Sequence, residues 1–149
     1  MRRLSCILLT AVLAACTAAE APLSRRVVES EMVRNPEANY IDGQEGRLKW
    51  NYTTGLELKA MLDVYAVCGD ERILAYADAW YDAVIDSTGQ IYKYKKSNFS
   101  TDHICPGRTL FQLYDLTGKE KYRVAMDSLY SQILDQPRTP EGGFWHKQI

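Results

Sequence analysis

An all-α fold built from helical hairpins is what this sequence predicts, and three observations predict it. The stretch "YAVCGDERILAYADAWYDAVID" (65–86) lies over "YDLTGKEKYRVAMDSLYSQILD" (114–135) without a gap, at an offset of 49 residues. The overlay pairs Tyr65 with Tyr114, Gly69 with Gly118, Glu71 with Glu120, Asp78 with Asp127, Tyr81 with Tyr130 and Asp86 with Asp135. Within the first copy, Ile73, Ala77, Trp80, Tyr81 and Val84 recur at helical spacing and make one apolar stripe. No run of alternating residues competes with these helices. "QIYKY" (90–94) is at most a short hairpin piece.

Taken in order, the first predicted helix opens at Ser24 as N-cap, carries Val28 and Met32 on its apolar edge, and ends at Pro36. A long loop over 35–51 follows, of the kind that is often functional in compact domains. Each repeat unit then reads as a helix, a glycine stop and a returning helix. The first helices, about 54–67 and 103–116, are apolar on several sides and so predict inner helices covered all round. The second helices have one solvated face; Tyr122, Met126, Leu129 and Ile133 repeat the stripe in the second copy. Gly69 and Gly118 stand where a helix C-terminus needs a left-handed residue. Glycine-aromatic turns, "GQIY" (89–92) and "GGFW" (142–145), close the two units. Hairpins at a period near fifty residues stack into an open solenoid or close into an (α/α) toroid, and an unclosed array needs capping.

Composition excludes several classes. Apolar residues at 46% and charged residues at 25% are ordinary globular values, and a formal net charge of −1 supplies no field for nucleic acid. Ten tyrosines and three tryptophans fit either sugar-stacking surfaces or a helical core. Two histidines without metal-ligand spacing predict no metal site, and no cofactor motif is present.

The start reads as a targeting segment. Arg2 and Arg3 precede the apolar run "LSCILLTAVLAA", too short to span a bilayer comfortably, and the run ends in "LAAC". "LAAC" resembles a bacterial lipobox, which implies a signal peptide over 1–15, acylation of Cys16, a tether over 16–23 and a folded domain over 24–149. The protein would then be an exported lipoprotein, periplasmic or anchored to the outer membrane, held to the membrane by lipid. The rival is an ordinary cut after Ala21, which leaves a poorly tolerated Pro22 just beyond it. Cys68 and Cys105 fall at opposite ends of neighbouring inner helices, on the order of 15–20 Å apart, so free, largely buried thiols are expected.

In a toroid, the loops entering the inner helices share one mouth. Those loops are "KWNYTTG" (49–55), "FSTDHICPG" (99–107) and "GGFWHK" (142–147), which would gather Trp50, Tyr52, Asp102, His103, Trp145 and His146. Helix N-termini at that mouth favour an anionic guest such as a carboxylated sugar. Each residue also has a plain structural reading. Asp102 can cap a helix starting at His103, Trp50, Tyr52 and Trp145 can be packing, and His146 can be a loop histidine.

"ESEMVRNPEA", "KWNYTTGLELKAMLDVY", "DHICPGRTLFQLYDLTG" and "YSQILDQPRTPEGGFWHK" resemble the unsaturated rhamnogalacturonyl hydrolases of glycoside hydrolase family 105. They are also similar, less closely, to the unsaturated glucuronyl hydrolases of family 88. The resemblance covers about 24–149 and implies the N-terminal part of a truncated (α/α)6 barrel. The implied substrate is a pectin-derived oligosaccharide with a 4,5-unsaturated galacturonyl end. An aspartic acid protonates C4, water adds at C5, and the hemiketal opens to release the sugar. By the same resemblance, Tyr52 is a substrate-binding tyrosine; Trp50 and Trp145, placed on the same rim, are further substrate-binding candidates. Asp102 is a carboxylate supporting the catalytic acid, and His146 is a site histidine. The family's main acid belongs to a W-x-D-G segment shortly after F-W-H, so a chain ending at Ile149 is expected to be inactive. Two other classes stay open: a non-catalytic helical-repeat lipoprotein that binds carbohydrate, or part of another (α/α) enzyme such as a glucuronyl hydrolase or sugar epimerase.

Overall fold

The computed structural model describes residues 20–147, and the lipobox with Cys16 lies outside them. Five α-helices carry the fold: α1 (Leu23–Arg34), α2 (Tyr52–Cys68), α3 (Glu71–Val84), α4 (Arg108–Thr117) and α5 (Glu120–Asp135). α2 and α3 form one hairpin and α4 and α5 the next; α2 and α4 lie against each other, and α1 packs on α2. The described residues include no strand, only isolated antiparallel bridges Ile85–Ile91 and Arg138–Phe144.

Both hairpin turns use the same device. Gly69 and Gly118 sit at φ 64° and 67°, and their amides close on Tyr65 O and Tyr114 O. Returning helices α3 and α5 begin at Glu71 and Glu120, the residues the 49-residue offset pairs. The apolar stripe of α3 is buried as its spacing requires: Ile73, Ala77, Trp80, Tyr81 and Val84 are all 0–1% exposed. These meet Leu58, Met61 and Leu62 from α2, Leu110 and Leu113 from α4, and Tyr122, Ala125 and Leu129 from α5.

Three boundaries differ from the sequence reading. α1 starts at Leu23 after Pro22, with no side-chain cap from Ser24. It stops at Arg34, because Pro36 excludes the helical region for Asn35, which adopts φ −125° and ψ 76°. α4 starts at Arg108 rather than His103. The preceding chain is wound into two 3-10 turns, Thr101–His103 and Cys105–Gly107, and Asp102 caps neither. Nor are the inner helices covered all round: Leu56, Val67 and Phe111 are 55%, 89% and 64% exposed.

A close approach joins the two inner helices at the mouth. A Cβ built on Gly55 would lie 2.5 Å from Pro106 Cα, so the first turn of α2 rests directly on the 3-10 turn. Behind that turn, buried Gln132 of α5 and Gln136, the residue that caps its C-terminus, tie the rim loops together. Gln132 Nε2 donates to Ser100 O at 3.1 Å and to Gln136 Oε1 at 3.0 Å, while its own Oε1 accepts from the Tyr94 hydroxyl at 2.9 Å. Gln136 Nε2 donates to Phe99 O at 2.6 Å and Trp145 O at 2.8 Å.

Gly55→Ala gains about 1 kcal/mol of helix propensity but forces a methyl into backbone, an overpacking cost of about 1–3 kcal/mol. A net loss is expected, read as a lower urea midpoint. Gln136→Leu orphans two loop carbonyls and is expected to cost about 1–3 kcal/mol. Faster amide exchange confined to residues 99–103 and 144–146 would identify the loops as the cause; unchanged exchange there contradicts the tie. Partial burial, with Glu31 and Asp42 nearby, pushes the Glu57 carboxyl up to about 7. A raised folded value means stability present at low pH and lost as pH rises from about 4.5 through about 7. Glu57→Gln should flatten urea-unfolding stability across that window, and an unaltered pH profile would refute it.

Candidate active site

The mouth of the hairpins is built from three segments. The chain before α2 brings Trp50 and Asn51, and the Asn51 side chain accepts from Thr54 N–H at 3.1 Å to cap the helix. Tyr52, the first residue of α2, stands 48% exposed. The two 3-10 turns carry Asp102 and His103, and the terminal loop carries Trp145 and His146.

Asp102 and His146 meet. His146 Nε2 lies 3.0 Å from Asp102 Oδ1, and His146 O accepts from Thr101 N at 2.8 Å and from the Thr101 hydroxyl at 3.1 Å. Side chain and main chain thus bind the two loops together. Both groups stay accessible, at 64% for the imidazole and 43% for the carboxylate, so the contact itself adds little stability. An accessible imidazole–carboxylate pair can orient a ligand hydroxyl or pass a proton. This pairing also displaces the capping reading of Asp102.

Beside the pair opens a cleft of about 500 Å³, walled by residues 48–53, Tyr92, Lys93 and Tyr94, and by Asp102 and His103. Tyr52 therefore shares the cleft wall with Asp102, and His146 reaches it through that carboxylate. The positive end of α2 lies here too, since Tyr52 and Thr53 begin the helix.

The two tryptophans part company. Trp50 is 5% exposed, stacks on Trp80 at 5.9 Å between ring centroids, and donates its indole N–H to His103 O at 2.8 Å. It is a packing post that sets the cleft wall rather than a platform open to ligand, because its ring face and its only donor are already used. Trp145 is 40% exposed but does not line the cleft; its amide donates to Pro137 O at 2.9 Å. Cys68 and Cys105 are free thiols, half-buried rather than sealed in the core.

Sequence reasoning missed the second wall. Tyr92, Lys93 and Tyr94 come from the loop after α3, read only as a turn. His103 lines the cleft as well, with Nδ1 buried and unpartnered and its ring edge-on to Tyr94 at 6.2 Å. Burial lowers its pKa, with the Asp102 charge opposing, so the neutral imidazole is favoured. Gln132 and Gln136 were missed too. Their signal was two amides at a spacing of four across the end of α5, one of them one turn from the apolar Leu129.

The model of the family described as Glycosyl Hydrolase Family 88 matches residues 23–149. Among solved structures, the chain is similar to a C. acetobutylicum ATCC 824 glycoside hydrolase from family 105, with 33% identity and a TM-score of 0.73. That similarity covers 85% of this chain and 33% of the other, so the chain spans about a third of the solved enzyme's length. The paired helices are those of the (α/α)6-type fold. Because the family match runs through all five helices and both loops of the Asp102–His146 pair, this chain belongs to glycosyl hydrolase family 88.

Proposed function

We propose that the chain is part of an exported enzyme that hydrates the 4,5-double bond of unsaturated galacturonyl–rhamnose oligosaccharides left by pectin breakdown. The single observation that carries the reading is the Asp102–His146 contact at the edge of a cleft shared with Tyr52. Hydration of an enol ether needs a proton donor at C4 and an oriented water at C5, with no displacement at the anomeric carbon. In this reading Asp102, held by His146, supports the acid and orients the ring, while Tyr52 binds it. The positive end of α2 favours the uronate carboxylate. Export belongs to the same proposal, through acylation of Cys16. Incorporation of labelled palmitate that disappears in Cys16→Ser supports it, and incorporation independent of Cys16 counts against it.

The test uses the protein expressed from the complete reading frame that contains this chain. Incubation with an unsaturated galacturonyl–rhamnose disaccharide should abolish the ultraviolet absorbance of the enol ether. Asp102→Asn should slow that loss by about 10²-fold or more, the scale of a general acid–base contribution. Stable absorbance with the wild-type protein refutes the assignment. Turnover of only unsaturated glucuronyl substrates would move it to the glucuronyl hydrolases of the same family.

A further inference from the structure

We infer that a second copy of this chain docks head to tail on the flanks of the hairpin array. The α4 flank around Phe111 of one copy seats on an exposed stripe of α2, Leu56 to Val67, of the next. One interface inside the chain supplies the pattern, and the 49-residue offset carries both of its halves to the outside.

Inside the chain, the second hairpin meets α2 through Cys105 and Gln112. The Cys105 thiol lies 3.9 Å from Tyr52 O, and Gln112 Nε2 donates to Leu62 O at 3.3 Å. Thr109, between them on the same face, is fully buried, and so is Leu62 across the contact. Moved back by 49 positions, Cys105, Thr109, Gln112 and Leu116 become Leu56, Ala60, Asp63 and Val67. Their spacing puts these four on one face of α2, and all four are exposed. Moved forward, Leu62 becomes Phe111, which is exposed as well. One flank therefore repeats the face that the second hairpin turns to α2, and the other repeats the residue that α2 turns back. Among the described residues nothing covers either.

The surface that fits the stripe is thus carried by the chain itself. Beside the stripe a groove of about 880 Å³ opens between α1 and α2, walled largely by Leu23, Val27, Ala60, Val64 and Val67, an apolar seat for the Phe111 ring. One bond of the internal interface is not repeated. Asp63 stands where Gln112 donates, and it is held by Lys59 on its own helix. A two-fold pairing would set Phe111 against Phe111 and leave the stripe bare, whereas head-to-tail docking joins unlike faces and leaves one flank free at each end. Copies related as the two hairpins are related open their mouths on the same side, so the arc of rim loops lengthens.

Sedimentation velocity of the 149-residue chain should show association that rises between about 1 and 100 μM, the range of a modest interface. Phe111→Asp spoils one flank and Leu56→Asp/Val67→Asp the other, and each should weaken association about thirtyfold or more. All three positions are exposed, so the fold is expected to persist, checked by an unchanged urea midpoint. Mixed in equal amounts, the two variants should recover a one-to-one dimer that grows no further, because each keeps the flank the other lacks. Association through the apolar run at 4–15 would not respond to these substitutions. A monomeric wild-type chain, variants that associate as the wild type does, or a mixture that stays monomeric each overturns the proposal. A product of the complete reading frame that stays monomeric and protects the amides of both flanks from exchange also overturns it, since its own hairpins then hold the places assigned to a second copy. None of these results bears on the enol-ether reaction, which needs no second copy.

Discussion

The geometry of the mouth depends on two buried amides, Gln132 in the last turn of α5 and Gln136 at its C-cap. Polar groups in a dry interior are costly unless every donor and acceptor is used, at about 1–3 kcal/mol for each one orphaned. Here each amide N–H spends itself on a loop carbonyl or on its neighbour, and the Gln132 carbonyl takes the Tyr94 hydroxyl. The loops at 92–94, 99–103 and 144–146 are thereby held to one rigid helix. Together with the bonds from Thr101 to His146 O, this tie keeps the His146 imidazole within 3.0 Å of Asp102. Precision at the mouth comes from the outer helix behind it.

Sequence repetition does not bring repeated environments. Tyr81 and Tyr130 are paired by the 49-residue offset, yet Tyr81 is fully buried with its hydroxyl on Pro106 O at 2.8 Å, and Tyr130 is 60% exposed. Asp78 accepts from the Tyr122 hydroxyl at 2.6 Å and pairs with Lys119, both in the next hairpin. Its counterpart Asp127 turns to Arg123 on its own helix. The difference follows from stacking: the first unit has a following unit to pack against, and among the described residues the second has none. Tyr122, between Asp78 and Asp82, is held far above the ordinary phenol range by burial and by those two carboxylates, which locks its proton in place as the interhelical donor.

Both signs of charge meet at the mouth. Asp102, held by His146, lines the cleft together with Lys49, Lys93 and the first residues of α2. His103, kept neutral by burial, adds a polar wall without adding charge.

Periodicity, the glycine stops and the gapless repeat were enough to assign the paired helices, because side-chain spacing and positive φ are local consequences of residue type. The places of Tyr52 and His146 were legible for the same reason, one at a helix start and the other after a glycine turn, whereas Asp102 lies in a 3-10 turn and not at the helix start its spacing suggested. The early end of α1 was readable in principle from Pro36, whereas the 3-10 winding before α4 was not. That winding depends on Pro106 resting against Gly55, 51 positions earlier. Burial of Trp50, the second cleft wall at 92–94 and the glutamine tie required the tertiary structure. Each is a contact between segments far apart in the chain, and nothing in the spacing of one segment records what the other will present to it.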